Sequence, residues 1–263
     1  MLKEIRFDHR TLQLPIIQGG MGVGVSLSSL AGHVMKEGAM GVISAAHPGY
    51  RRPDFRKDSI AANCAAIHEE CARARAISEG NGLLGINIMV ASTDYDTYVR
   101  AAIDAGVDAI ISGAGLPLHL PKLTKDSDVL LAPIVSSARA AHLILRTWDK
   151  HYQTCPDFIV VEGSEAGGHL GFSREELEEG RCQPLDAIVR EVLGLLAPYE
   201  NATRRRSVCL RPAASLMETT SPACCGWGRT ACRWRPVLSP RMNATPQIHS
   251  NRPYCSARKK TSV

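Results

Sequence analysis

A histidine on a glycine-rich stretch has the best context for chemistry in this sequence. His169 follows Gly167 and Gly168, and the stretch comes directly after the apolar run Phe158–Val161. In an α/β barrel, catalytic groups lie in the loops at the C-terminal ends of the strands. Glycines let the backbone approach a flat ligand closely, and an imidazole transfers protons near neutral pH. The pattern therefore predicts that His169 is a catalytic residue at the mouth of such a barrel.

A second glycine-rich turn, Gly19–Gly22, follows the apolar run Leu14–Gln18. Its backbone N–H groups are free to approach a ligand, but an ordinary tight turn between a strand and a helix has the same composition. The GxGxxG spacing of a dinucleotide-binding turn is absent. The residues of this turn are therefore compatible with both a ligand-binding turn and an ordinary tight turn.

Asn87 is a polar residue inside the apolar run Leu83–Val90. A buried amide needs hydrogen-bond partners, which either a ligand or a neighbouring strand supplies. Met89 lies two residues further on and faces the same side of the strand. After another apolar run, Ser136 and Ser137 either reach the site from its rim or cap the next helix.

The elements that position these residues alternate regularly along residues 1–200. Apolar runs typical of buried strands occur at Leu14–Gln18, Gly41–Ala45, Leu83–Val90, Ala109–Ser112, Val129–Val135 and Phe158–Val161. Helical patterns occur at Ser28–Glu37, Ile60–Ser78, Asp94–Ala105, Ala138–Trp148 and Leu185–Leu196. This cadence predicts an α/β fold, a (β/α)8 TIM barrel truncated to about six βα units, with a doubly wound open sheet as the competitor.

Composition supports one large α/β domain. The 263 residues are 44% hydrophobic and only 5% aromatic, which suits helices packed on a parallel sheet. No apolar run approaches the roughly 18 residues that span a bilayer, and the N-terminus lacks a signal-peptide core, so we expect a cytoplasmic protein. The nine cysteines have no metal-ligand spacing, and we predict free thiols and no metal site.

The C-terminal segment differs from the rest in charge. Residues 201–263 contain twelve basic residues and one acid, a net charge of +11, which leaves residues 1–200 with −6 of the total +5. This predicts two parts, a barrel at 1–202 and a basic, irregular tail at 203–263. A non-catalytic protein that binds nucleic acid through this tail is one alternative, and salt-dependent DNA binding that disappears on deleting the tail would support it.

Residues 5–200 resemble the nitronate monooxygenase family, also called the 2-nitropropane dioxygenase family, and its sister group, the flavin-dependent enoyl-ACP reductases II. The matching motifs fall in the family's order and spacing: Pro15-Ile16-Ile17-Gln18-Gly19-Gly20-Met21-Gly22, Gly85-Ile86-Asn87-Ile88-Met89, Ser112-Gly113-Ala114-Gly115-Leu116-Pro117 and Glu165-Ala166-Gly167-Gly168-His169.

The resemblance implies a flavin-binding (β/α)8 barrel that oxidises alkyl nitronates with O₂. The alternative it leaves open is NAD(P)H-dependent reduction of an enoyl thioester on the same flavin platform. In either case the partner is a small-molecule substrate, not nucleic acid or membrane. The resemblance implies His169 as general acid or base, and FMN contacts at Gly20, Met21, Gly22, Asn87, Met89, Glu162, Gly163, Gly167 and Gly168.

The tail lacks the two motifs with which the family continues. In the neighbouring reading frame, however, the codons of residues 208–216 permit Val-Phe-Ala-Ala-Gly-Gly-Ile. Those of residues 227–236 permit Gly-Ala-Asp-Gly-Val-Gln-Met-Ala-Thr, so both family motifs recur in order. We therefore hypothesise a frameshift near residues 203–207, which the nucleotide sequence of codons 200–240 tests. Because six strands cannot close an eight-stranded barrel, we also expect exposed edges, poor FMN binding and aggregation.

Overall fold

Eight parallel strands close into a barrel in the computed structural model, which describes residues 4–7, 9–203, 208–212 and 230–234. Strands that are consecutive in the sequence are neighbours in the barrel, and the last strand pairs with the first to close it. The strands are β3 (Ile16–Gln18), β4 (Met40–Ser44), β5 (Leu83–Met89), β6 (Ala109–Gly113), β7 (Leu130–Val135), β8 (Phe158–Val161), β9 (Val208–Pro212) and β10 (Thr230–Trp234).

Strands β3 to β8 are each followed by a helix, which confirms the TIM-barrel class and the six predicted βα units. The helices are α1 (Ser28–Lys36), α2 (Ser59–Ser78), α3 (Tyr95–Asp104), α4 (Leu120–Leu123), α5 (Ala138–Tyr152), α6 (Arg174–Glu178) and α7 (Leu185–Thr203). Sequence analysis missed the short helices α4 and α6. The start of α6 carries a readable signal, because Ser173 and Glu176 form a capping box.

Side chains alternate between two cores along strands β4 to β8. In β5, Leu83 belongs to the core inside the barrel, whereas Leu84, Ile86 and Ile88 pack between the sheet and the helices. The period of two that governs strands therefore places Gly85, Asn87 and Met89 on the inner side, toward the mouth.

An N-terminal hairpin packs against the inner core. Strands β1 (Ile5–Arg6) and β2 (Thr11–Leu12) pair antiparallel, and the ring centroid of Phe7 lies 5.6 Å from that of Phe158. Arg10 donates to Asp108 over 3.1 Å, and the other oxygen of Asp108 accepts the Leu84 N–H at 2.7 Å. Because Leu84 and Asp108 lie at the starts of their strands, these contacts stabilise the end opposite the mouth.

The structure differs from the sequence-based expectation in the tail. Strand β9 pairs with β8, and β10 pairs with both β9 and β3, so the barrel is closed and the expected open edges are absent. A six-stranded sheet would leave the outward-facing backbone N–H and C=O groups of its edge strands, β3 and β8, unpaired. Strands β10 and β9 pair with these edges although their segments contain few strand-forming residues. Propensity along the chain does not detect such pairing. The expectation of poor FMN binding and aggregation therefore loses its structural reason.

The remaining expectations for the tail stay predictions. The irregular structure expected elsewhere in residues 203–263 lies outside the described residues. The domain division at residue 202 and the frameshift hypothesis also stay predictions. Strands β9 and β10 do fall within the two segments whose neighbouring frame permits the family motifs.

Glu70 of α2 caps the N-terminus of α1. Its buried carboxylate accepts the Ser28 N–H at 2.7 Å and contacts the guanidinium of Arg73, while Leu27 at the N-cap position of α1 supplies no side-chain acceptor. Residues 23–27 connect the Gly19–Gly22 turn to α1, so this bond also fixes where that connection ends.

We expect Glu70→Ala to lower the free energy of unfolding by about 1–3 kcal/mol, because it leaves a buried N–H without an acceptor. Glu69→Ala is the matched control, since Glu69 is exposed and forms only surface ion pairs, worth about 0–1 kcal/mol. Urea unfolding of both variants measures the difference. Equal losses would show that the cap does not stabilise the helix.

Candidate functional site

The Gly19–Gly22 turn is held by a buried hydrogen-bond network at the end of β3. The Ser26 hydroxyl accepts from Gln18 Nε2 and from the Met21 N–H, both at 2.9 Å, and donates to the Gly19 carbonyl at 3.2 Å. Gln18 also bonds both backbone groups of Val42 on β4. The turn is therefore preorganised with its glycines at the mouth. In the sequence, Gln18 stands out only as part of a motif, and Ser26 was not predicted because it has no local sequence signal.

Gly20 and Asn87 are in direct contact at the mouth. A Cβ atom on Gly20 would lie 2.5 Å from Asn87 Cβ and 2.8 Å from its Nδ2, so only glycine leaves room for the amide. Among the residues that the structure describes, none bonds to the Asn87 side-chain amide. A half-buried amide with free donors and an acceptor is a ready contact for a ligand. Gly22 lies in the same turn, and a Cβ there would lie 3.3 Å from Ala46 Cβ.

The His169 loop begins at the end of β8. Glu162 is buried and its N–H donates to the Val135 carbonyl at 2.8 Å, which continues the pairing of β7 with β8. The next residue, Gly163, lies against Leu185 at the start of α7. The Ala166 N–H then closes a turn onto the Gly163 carbonyl at 3.1 Å. The three residues after this turn are exposed.

Three consecutive residues, Gly167, Gly168 and His169, form the exposed tip of this loop. Gly168 has a φ of 102°, a conformation that side-chain-bearing residues rarely adopt. The imidazole is thus carried on a turn that needs glycine. Its exposure leaves it accessible to a substrate that enters from solvent.

A cleft of about 410 Å³ brings His169 and Glu162 together. Its walls come from the loops after β5, β6, β7 and β8, all at the C-terminal end of the barrel. The remaining lining residues are Ala91, Ala114, Gly115, Leu116, Ile134, Val135, Ser136, Ser137, Ala140, Leu170 and Gly171. The cleft is mostly apolar, with His169, Glu162 and the two serines as its polar side chains.

The predicted site residues thus form two groups on one rim. Gly20, Met21, Gly22, Asn87 and Met89 belong to the β3 and β5 side, while Glu162 and His169 line the cleft on the β8 side. The structure does not place the first group in the cleft lining. No cluster of three or more metal-ligating side chains occurs among the described residues.

The loop after β6 is positioned from behind by two buried aromatic residues. The indole of Trp148 donates to the Pro117 carbonyl at 3.0 Å, and Tyr95 and Ser112 hydroxyls are 2.8 Å apart. Burial raises the pKa of Tyr95 to about 12, so its hydroxyl keeps its proton. Leu116, between these anchors, is thereby held in the wall of the cleft.

A family model described as nitronate monooxygenase matches residues 3–194, which is most of the chain. The protein belongs to the nitronate monooxygenase family. This is a family of flavin-dependent oxidoreductases, and its fold agrees with the barrel seen here. A search among curated proteins finds no match. No helix in the described part of the chain is long and apolar enough to cross a membrane.

Solved structures share the fold of this nitronate monooxygenase family member. Nitroalkane oxidase from Streptomyces ansochromogenes has 17% identity and a TM-score of 0.64, over 85% of this chain and 65% of that one. FabK from Thermotoga maritima has 20% identity and a TM-score of 0.61, over 85% and 58%. An IMP dehydrogenase/GMP reductase-like protein from Corynebacterium glutamicum has 14% identity and a TM-score of 0.59, over 88% and 66%. The chain therefore spans about three-fifths of the first two structures.

Proposed function

We propose that this protein oxidises alkyl nitronates with O₂ as an FMN-dependent nitronate monooxygenase. The observation that carries the proposal is the arrangement of the family's motifs on one rim. The Asn87 amide lies beside Gly20 and bonds to none of the residues that the structure describes, and His169 lines the neighbouring cleft. The protein's partner is then a small anionic substrate, and we propose that it acts in the cytoplasm.

The residues at the mouth fit a flavin. A flavin ring is flat and has both donors and acceptors along its edge, and the Asn87 amide offers both kinds of group. Gly20 leaves room for the Asn87 amide at the mouth, and the Gln18–Ser26 network holds the turn in place. We propose Gly20, Met21, Gly22, Asn87, Met89, Glu162, Gly163, Gly167 and Gly168 as FMN-binding residues.

Bound FMN would supply the redox chemistry by accepting electrons from the substrate and passing them to O₂. The chain's own contribution is positioning and proton transfer. The apolar walls at Leu116, Ile134 and Leu170 exclude water from the substrate's alkyl group. A nitronate is already deprotonated at its α-carbon, so His169 acts when a neutral nitroalkane enters the cleft. Its imidazole, on a loop accessible from solvent, removes the α-proton and so forms the nitronate.

The second candidate is NAD(P)H-dependent reduction of an enoyl thioester. The motif resemblance to the enoyl-ACP reductase II group favours it, and the same rim would hold the flavin. The two activities differ in electron donor, so they are separable with one preparation of the protein.

The test is to purify the full chain, measure its flavin by visible absorbance, and identify the flavin by chromatography after denaturation. We expect bound FMN, O₂ uptake with propionate-3-nitronate, and no NADH or NADPH oxidation with crotonyl thioester. Nicotinamide oxidation without nitronate turnover would establish the second candidate. A colourless protein that does not bind added FMN would contradict both.

A further inference from the structure

Two adjacent serines follow β7, and they have different environments. The Ser137 side chain accepts the Ala140 N–H at 3.2 Å and thus caps α5. The Ser136 hydroxyl bonds to no other residue within the described part of the chain, although Ser136 is half-buried and lines the cleft. Helix capping therefore accounts for Ser137 and leaves the Ser136 hydroxyl without a structural role.

Ser136 lies beside Glu162 by strand register. Strand β7 pairs with β8 so that Val135 is opposite Val161, and the residues that follow these two are Ser136 and Glu162. The Glu162 N–H donates to the Val135 carbonyl, which holds the two chain segments together at this point. Because both segments belong to the barrel, the hydroxyl is held on a rigid element.

The His169 loop folds back onto Ser136 through Gly171. A Cβ atom on Gly171 would lie 2.6 Å from Ser136 Oγ and 2.9 Å from its Cβ, well inside ordinary contact distance. The φ of Gly171 lies outside the left-handed region, so lack of space, and not backbone conformation, requires glycine here. Gly171 therefore leaves the space that the Ser136 hydroxyl occupies.

We propose that Ser136 is a substrate-binding residue whose hydroxyl donates a hydrogen bond to an oxygen of the nitronate group, and that Gly171 is the positioning residue that keeps this hydroxyl in place. The inference rests on the proposed function. A hydroxyl donor in a mostly apolar cleft that also holds His169 binds a small substrate by its charged oxygen and leaves the alkyl part to the apolar walls.

The experiment measures KM and kcat for ethylnitronate by O₂ uptake in the FMN-loaded full chain. We expect Ser136→Ala to raise KM about five- to tenfold with little change in kcat. The reason is that the variant loses one hydrogen bond that is equally strong in the ground state and in the transition state. Gly171→Ala should raise KM similarly, because its Cβ displaces the hydroxyl. In the double variant the two effects should not multiply, since they act on the same group.

Ser127→Ala is the matched control at the other end of the same strand. Ser127 is also half-buried and precedes β7, and its hydroxyl donates to the Thr124 carbonyl at 2.9 Å. This variant should lower the melting temperature slightly and leave KM unchanged. A purely structural role for Ser136 would give the same pattern in Ser136→Ala, and that result would overturn the inference.

The two proposals fail in distinguishable ways. If the wild-type protein oxidises ethylnitronate and Ser136→Ala keeps its KM, the inference is wrong and the proposed function stands. If the FMN-loaded wild-type protein shows no O₂ uptake with nitronates, the proposed function is wrong and the inference falls with it. A raised KM in both Ser136→Ala and Gly171→Ala, without a multiplied effect in the double variant, supports both.

Discussion

Replacing His169 with glutamine is expected to lower kcat for oxidation of a neutral nitroalkane by about 10²- to 10⁴-fold, because removal of the α-proton by a positioned imidazole contributes an acceleration of that size. A preformed nitronate has already lost this proton, so its oxidation should change much less. Glutamine keeps a polar side chain of similar length but cannot transfer protons near neutral pH. FMN content should not change, since the proposed role of His169 is toward the substrate and His169 is not one of the proposed FMN-binding residues. Steady-state O₂ uptake and flavin absorbance of the purified variant measure both quantities.

A matched control for this variant is His142→Gln, because His142 is exposed on α5 between positions that face the helix–sheet core. It should keep wild-type kcat. Added imidazole should partly restore activity to a His169→Ala variant, which has space for it. A His169→Gln protein that retains wild-type kcat with the neutral nitroalkane and carries full FMN would contradict the catalytic role of this residue.

Replacing Gly20 with alanine is expected to weaken FMN binding by about tenfold to more than a hundredfold. The new Cβ would lie 2.5 Å from Asn87 Cβ, and because that atom is fixed to the backbone of β5, either the turn or the amide must move. Overpacking of this kind costs about 1–3 kcal/mol. Flavin fluorescence titration of the apoprotein gives the dissociation constant directly.

Gly194→Ala is the matched control for Gly20→Ala, because it adds the same Cβ atom at a position without neighbouring atoms. Gly194 is exposed in α7, and a Cβ there would have nothing within 4 Å. This control should keep FMN and stabilise the helix by about 0.5–1 kcal/mol, because alanine loses less backbone entropy than glycine. A Gly20→Ala protein that purifies with as much FMN as Gly194→Ala would contradict the placement of the flavin beside this turn.

The regular part of the fold was predictable because its strands and helices carry strong local patterns. The apolar runs at Leu83–Val90 and Phe158–Val161 became β5 and β8, and the helical pattern at Ala138–Trp148 became α5. In each case burial of one face follows from the order of residues along a single segment. The hairpin of β1 and β2 was missed, since its strands have only two residues each and their pattern is too short to read.

For the candidate site, the sequence predicted which residue types follow the ends of the strands, but not which of these residues contact one another. The sequence indicated that His169 and Asn87 belong at the mouth, but their partners came from the structure. Ser136 and Ser137 show the limit, because adjacent and chemically identical residues have separate roles. Only the contact with Gly171, thirty-five positions along the chain from Ser136, and the cap at Ala140 distinguish them.

By itself, the sequence determined the barrel class, six of its βα units, and the nitronate monooxygenase family that its motifs indicated. These depend on periodicity and on glycines at fixed positions, which are properties of consecutive residues. The tertiary structure alone decided that β9 and β10 close the barrel, that Gly20 makes room for Asn87, and that Gly171 lies on Ser136. These outcomes depend on backbone pairing and on space between segments distant in sequence, which no local pattern encodes.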